Sequence, residues 1–191
     1  MSPVGERDLD RAARAVEDFL DALGLPVADD PELVGTGKRV AEAFALDMLS
    51  GYAMDPATIL ADTTATKAPG NVLVTGIATT AICPHHLLPA TGVVHVGYEP
   101  GGKVVGLGSL GRLVQCYARR LILQEDLGQR IVEALVTHLG ARAAGCVVDL
   151  SPTCMVARGG RLHGARAITT AFAGESSERF RQELLALVPR A

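Results

Sequence analysis

The stretch Cys83-Pro84-His85-His86 gathers one thiol and two imidazoles into a single short segment. Thiolate sulfur and imidazole nitrogen are the ligands zinc favours. Pro84 stiffens the loop that carries them. A Cys-x-x-His pair cannot complete a metal shell by itself, so a distant ligand is needed. Cys154, in Ser-Pro-Thr-Cys-Met, is the best candidate: it is read as lying on a strand, beside the glycine-rich turn Arg158-Gly-Gly160. Two thiolates and one imidazole leave a fourth tetrahedral position for water, the pattern of a catalytic rather than a structural zinc. Such a metal lowers the pKa of its bound water to about 7.

The remaining candidates read differently. Cys116 falls on a helix face and Cys146 among apolar strand residues, so both are expected in the core. Four cysteines in 191 residues are too few for a disulfide scaffold. His95 alternates within a strand and His138 stands near a helix C-terminus, where a cation is favoured; both read as structural. His163 lies close to the Arg158 turn and reads either as structural or as functional.

The elements that must position these residues follow from hydrophobic spacing. Asp8 to Leu23 predicts a helix whose buried face is Leu9, Ala12, Ala13, Val16, Phe19, Leu20 and Leu23. Thr36 to Leu49 predicts a second helix with Val40, Ala43, Phe44 and Met48 inward, and Asp55 to Gly70 reads as connection. Asn71–Thr80 and Thr91–Glu99 are rich in Val, Ile and Thr and predict strands. Glu99-Pro-Gly-Gly-Lys103 predicts a hairpin turn, with Val104–Leu107 as the return strand. Ser109–Leu139 predicts two helices that break near Leu123. Leu110, Leu113, Val114 and Tyr117 mark the first buried face; Ile131, Leu135 and Leu139 mark the second. Gly145–Ser151, Thr153–Ala157 and Leu162–Phe172 are expected as strands, and Glu175–Leu187 as a closing helix. The class is α+β with an antiparallel sheet, divided into a helical extension over residues 1–70 and a main domain over 71–191.

Composition narrows the function. With 48% hydrophobic and 20% charged residues, the chain is expected to bury a core rather than stay disordered. A net charge of -3 excludes a broad basic face for nucleic acid, and 4% aromatic content without Trp argues against stacking platforms. No apolar run approaches the roughly 20 residues of a membrane span, and the N-terminus lacks an apolar signal core, so a cytoplasmic protein is expected.

The residues resemble a known family. Cys-x-His-His-Leu-Leu-Pro at Cys83–Pro89 is similar to the metal motif of GTP cyclohydrolase I. So are Gly106-Leu107 with Arg112 following, Gln124-Glu125, Cys154-Met-x-x-Arg158-Gly159, and Arg39-Val40-Ala41. The motifs run in order from about Gly37 to Gly174. The resemblance implies the tunnelling fold: antiparallel sheets from several subunits close into a barrel, with paired helices on one face. It also implies a homo-oligomer, typically a decamer, with active sites at subunit interfaces. The implied zinc ligands are Cys83, His86 and Cys154, and the implied acid/base group is His85. Gln124 and Glu125 would read the guanine, since a carboxylate accepts from ring N–H and exocyclic amine. Arg39, Arg112 and Arg158 would hold the triphosphate. The implied reaction is attack of zinc-bound hydroxide on C8 of guanine, opening of the imidazole ring, loss of formate and reclosure to dihydroneopterin triphosphate.

The pattern breaks where proton transfer and phosphate binding would occur. Pro152 stands where the family usually has a histidine, Pro84 where it has a glutamate, and Ser109, after Gly108, where it has a lysine. A positioned acid/base group is worth about a hundredfold to ten-thousandfold in rate. The leading expectation is a zinc-dependent, cyclohydrolase-like enzyme that opens a guanine nucleotide or related purine, with altered substrate or with arrest before the pterin. The alternatives are an ordinary GTP cyclohydrolase I, with a group such as His163 replacing the missing histidine, and a catalytically silent zinc- or purine-binding homologue.

Overall fold

Residues 5–67, 70–175 and 178–188 are described by the computed structural model. In chain order the elements are α1 (Leu9–Ala22), α2 (Thr36–Glu42), α3 (Pro56–Ile59), β1 (Thr63–Ala65), β2 (Val72–Ile82), β3 (Pro89–Glu99), β4 (Lys103–Val105), α4 (Leu107–Ala118), α5 (Gln124–Ala134), β5 (Ala143–Pro152), α6 (Thr153–Val156), β6 (Ala167–Gly174) and α7 (Glu178–Leu187). Both α2 and α5 run on into wider π-helical turns, Ala43–Met48 and Leu135–Leu139. The architecture is α+β with antiparallel sheets, as expected.

The main sheet has the order β2-β3-β5-β6, antiparallel throughout. Strand alternation sends Val94, Val96 and Tyr98 of β3 and Cys146, Val148 and Leu150 of β5 to one face, where each is fully buried. The helices α4 and α5 cover that face with Leu110, Leu113, Val114, Leu127 and Ile131, all fully buried. Burial of each such side chain is worth roughly 1.5–3 kcal/mol, so this layer carries most of the stability. Cys116 and Cys146 are in it, as expected. On the opposite face α7 packs at Gly145, where an added Cβ would lie only 2.5 Å from Leu184 Cδ2.

Several expectations are corrected. The segment 55–67, expected to be mostly connection, carries two short elements: Asp55 caps α3 by accepting from Ala57 and Thr58 N–H, and β1 follows. β4 does not return along β3 but pairs with β1, because β3 is central and already has β2 and β5 as neighbours. Thr153–Val156 is a one-turn helix rather than a strand. The β5–β6 ladder ends at Leu150/Ala167 and the β3–β5 ladder at Ala90/Pro152, so among the described residues no strand pairs with the chain beyond Pro152. Residues 161–166 are likewise loop, and β6 begins only at Ala167.

The helix α1 forms where expected, capped by Asp8, but its apolar face is not buried: Phe19 and Leu23 are 62% and 61% exposed. It packs chiefly on α2, and a single partner helix cannot cover so wide a stripe. The crossing is tight at Gly37, where an added Cβ would meet the Ala13 carbonyl at 2.4 Å. Besides Gly37, the buried residues of α2 and its extension are Ala41 and Ala45, each one position away from the predicted Val40 and Phe44.

Candidate metal centre

The Cys83 loop begins where β2 ends and returns into β3 at Pro89. It is closed by reciprocal backbone bonds: Cys83 N–H donates to Leu88 O at 3.0 Å, and Leu87 N–H donates to Cys83 O at 2.9 Å. Closing so short a turn forces Leu87 into the left-handed region, with φ of 54°. For a residue with a Cβ that conformation costs on the order of 1–2 kcal/mol. The strain therefore sits inside the segment that presents His85 and His86.

Cys154 arrives from the other side. β5 runs beside β3 to its last pair at Ala90/Pro152, and α6 then turns the chain back, with Ala157 N–H donating to Thr153 O at 2.8 Å. Thr153 Oγ1 donates to the Pro89 carbonyl at 2.5 Å, tying α6 to the exit of the Cys83 loop. The result is convergence: the ligand atoms of Cys83, His86 and Cys154 all lie within 4.8 Å of one another. Around a tetrahedral zinc, with ligand bonds of about 2.0–2.3 Å, neighbouring ligand atoms stand roughly 3.5–3.8 Å apart. The trio therefore fits a small, thiophilic divalent cation after shifts of about an ångström or less. Soft sulfur and imidazole donors favour zinc over magnesium or calcium.

The surroundings are cationic. Arg158 Nη1 lies 3.1 Å from His86 Nε2, and the Nδ1 of the same ring lies 3.9 Å from Cys83 Sγ. His85, His86 and Arg158 are exposed, while Cys83 and Cys154 are half-buried. The other expected residues are placed as follows. Glu125 is exposed in the first turn of α5. Gln124 lies under that turn, with Nε2 donating to Val148 O at 3.0 Å and Ala167 O at 2.6 Å. Arg112 donates to Ser109 Oγ at 2.9 Å, and Ser109 itself is buried. Arg39 is turned back on its own segment, donating to Thr36 Oγ1 at 2.8 Å and Val34 O at 3.0 Å. His163 is exposed in the loop between α6 and β6.

Sequence reasoning passed over the ion pair between Arg166 and Asp149. Arg166 Nε donates to Asp149 Oδ1 at 2.7 Å, and the Asp149 carboxylate is nearly buried. The available signal was a lone carboxylate within the apolar run Cys146-Val-Val-Asp-Leu150.

Comparison with known proteins agrees with this architecture. The model of the GTP cyclohydrolase I family matches residues 12–188, and the chain belongs to that family. It is an enzyme of the cyclohydrolase class. The GTP cyclohydrolase 1 of Rhodopirellula baltica is 38% identical over 195 residues, covering 100% of this chain and 83% of the relative. That of Campylobacter lari is 38% identical over 184 residues, covering 93% and 94%, and that of Corynebacterium glutamicum is 38% identical over 192, covering 97% and 95%. The mixed α+β architecture is consistent with the tunnelling fold of the family. Among solved structures, an archaeosine synthase QueF-Like in its apo form overlaps 58% of this chain and 100% of its own at a TM-score of 0.47 and 21% identity, too distant to bear on function. Among the described residues no helix is long and apolar enough to cross a membrane.

Proposed function

We propose that this chain is a zinc-dependent hydrolase that opens the imidazole ring of a guanine nucleotide or a closely related purine by adding water at C8, a second water then cleaving the resulting formamide so that C8 leaves as formate and the nitrogen as an amine. The observation that carries this reading is the convergence of Cys83, His86 and Cys154 from loops far apart in sequence. A zinc ion held there supplies Lewis acidity and a water acidified to about pKa 7. His85, next to the ligand His86, moves protons at the reacting ring. Glu125 accepts hydrogen bonds from the guanine N–H groups, which adenine cannot offer in that pattern. Arg158, already beside the ligand ring, neutralises substrate phosphate, with Arg112 and Arg39 as further cations.

The exposure of His85, Glu125, Arg39, Arg112 and Arg158 within one chain supports a site completed by neighbouring subunits, as in the closed homo-decameric barrel the resemblance implies. Pro152 stands two residues before Cys154 and has no group that can carry a proton. Ser109 is buried and engaged by Arg112, so the start of α4 offers a hydroxyl where a lysine would bring charge. These substitutions favour slow late steps and a weaker hold on a triphosphate. Incubating zinc-loaded protein with GTP and related purines, and following formate and pterin fluorescence separately, tests the reading. Formate release that outruns pterin formation is expected; no ring opening of any purine contradicts it.

A second reading is supported by the relatives, which are named GTP cyclohydrolase 1. In it the chain completes the reaction to dihydroneopterin triphosphate, with His163 replacing the missing histidine. Equal yields of formate and pterin, abolished by His163→Ala, would support that version.

A further inference from the structure

The loop 153–166, which carries Cys154 and Arg158, springs from the point where β5 and β6 part. Their last ladder pair is Leu150/Ala167, while β5 continues beside β3 to Pro152. On the helix-covered face Gln124 Nε2 donates to the carbonyls of Val148 on β5 and Ala167 on β6, at 3.0 and 2.6 Å. On the opposite face Arg166 donates from Nε to Asp149 Oδ1 at 2.7 Å and from Nη2 to the Asp149 backbone carbonyl at 3.3 Å. Ser151 Oγ donates to Ala165 O at 3.4 Å across the same gap.

We propose that Gln124 on one face and the Arg166–Asp149 pair on the other clamp the fork of β5 and β6, and thereby position Cys154 for the metal. The clamp rests on the metal-site reading above. Gln124 acts as a positioning residue through its amide nitrogen, while its Oε1, buried and without a partner among the described residues, remains an open acceptor. Both its amide hydrogens are taken by main-chain carbonyls, and a flipped amide would set its oxygen against them. The same linker also holds the other half of the site, because Ile122 N–H donates to the carbonyl of Ile82, the residue before Cys83, at 3.2 Å. One stretch, Leu121–Gln124, thus ties the strand end that leads into Cys83 to the strands that lead into and out of the Cys154 loop. Groups hydrogen-bonded directly to a metal ligand set its affinity by about 10- to 100-fold, and the clamp, which acts through the strands that carry the ligand, is expected to reach at most that range.

The test is a titration of metal-free, full-length protein with Co2+, reading affinity and the thiolate-to-cobalt charge-transfer band, with metal-free melting curves recorded alongside. Gln124→Met keeps the side-chain length but removes both donors; Gln124→Glu sets a carboxylate against two carbonyls. The expected order of affinity is wild type, then Gln124→Met weaker by up to about 100-fold, then Gln124→Glu weaker still, with the band reduced in step. Arg166→Met is expected to match Gln124→Met, and Arg166→Lys, which keeps one donor, to recover part of the loss. Should the Gln124 variants fail to fold, the Arg166 pair gives the same comparison. Wild-type affinity and band in both Gln124→Met and Arg166→Met, above all with purine binding lost in the former, would overturn the clamp. A wild-type protein that shows no thiolate band overturns the metal reading itself, and the clamp with it.

Discussion

Arg158 Nη1 stands 3.1 Å from the Nε2 of His86, on the side of the ring away from Cys83. A guanidinium can only donate, so Nε2 of the metal-free ring accepts it; a metal on His86 takes the ring's one acceptor nitrogen and releases the arginine toward substrate oxygen atoms. It is therefore a cation placed beside anything bound at the trio. Arg158→Ala is expected to raise the KM for a phosphorylated purine by about 10- to 100-fold, the range of one or two lost charge-assisted hydrogen bonds, with a smaller change in kcat. Steady-state kinetics on nucleotide and free nucleoside check this, and the nucleoside should show little loss.

The thiols divide into two classes. Cys83 and Cys154 are half-buried at the loop site, while Cys116 and Cys146 are fully buried. Burial pushes the thiols of Cys116 and Cys146 up, Cys146 far up and Cys116 against an opposing pull from Arg120, which leaves them protonated and inert. Alkylation of the native, metal-free protein is expected to modify Cys83 and Cys154 quickly, and Zn2+ is expected to protect both. Peptide mass mapping reads the result; rapid modification of Cys146 would contradict the packing.

That trio was legible because its chemistry is local: a thiol and an imidazole at turn spacing, then a second thiol beside glycines. The course of the chain around it was less legible. Thr153–Ala157 has strand-like composition, but among the described residues no strand pairs past Pro152, and tertiary context overrides propensity there. Gln124 was noticed for its type, yet its partners are the main-chain carbonyls of Val148 and Ala167, which no residue pattern reveals. The stripe on α1 was read correctly as apolar and wrongly as buried, since periodicity shows that a face seeks a partner, not that the same chain supplies it.

Glu125 makes a sharper prediction about selectivity. It is exposed at the first turn of α5, so its loss should leave the fold intact. Glu125→Gln converts an acceptor pair into one acceptor and one donor, and so opposes the guanine N–H groups. A fall in kcat/KM of about 10- to 100-fold for guanine substrates is expected, with melting temperature and zinc content unchanged. Competition between guanine and adenine nucleotides measures the lost discrimination.

Stability should also depend on pH through His95. The ring is buried on β3, and its Nδ1 accepts the Gly76 N–H at 3.3 Å where β2 bulges. Burial lowers its pKa from 6.5, against an opposing pull from Asp149. A depressed folded pKa means that the unfolded chain binds more protons below about pH 6.5, so stability is fully present above that value and falls as pH drops toward the folded pKa. Melting curves from pH 8 to 5 are expected to show this loss, and His95→Gln is expected to flatten it. Equal slopes for the two proteins would assign the acid sensitivity elsewhere.

X-ray absorption at the zinc edge of the full-length, zinc-loaded protein tests the centre most directly. Two sulfurs at about 2.3 Å, one imidazole nitrogen at about 2.0–2.1 Å and one further light atom are predicted, with one sulfur lost in Cys154→Ser. A shell of four protein ligands, or a sulfur count unchanged by Cys154→Ser, would contradict an open zinc site built from Cys83, His86 and Cys154.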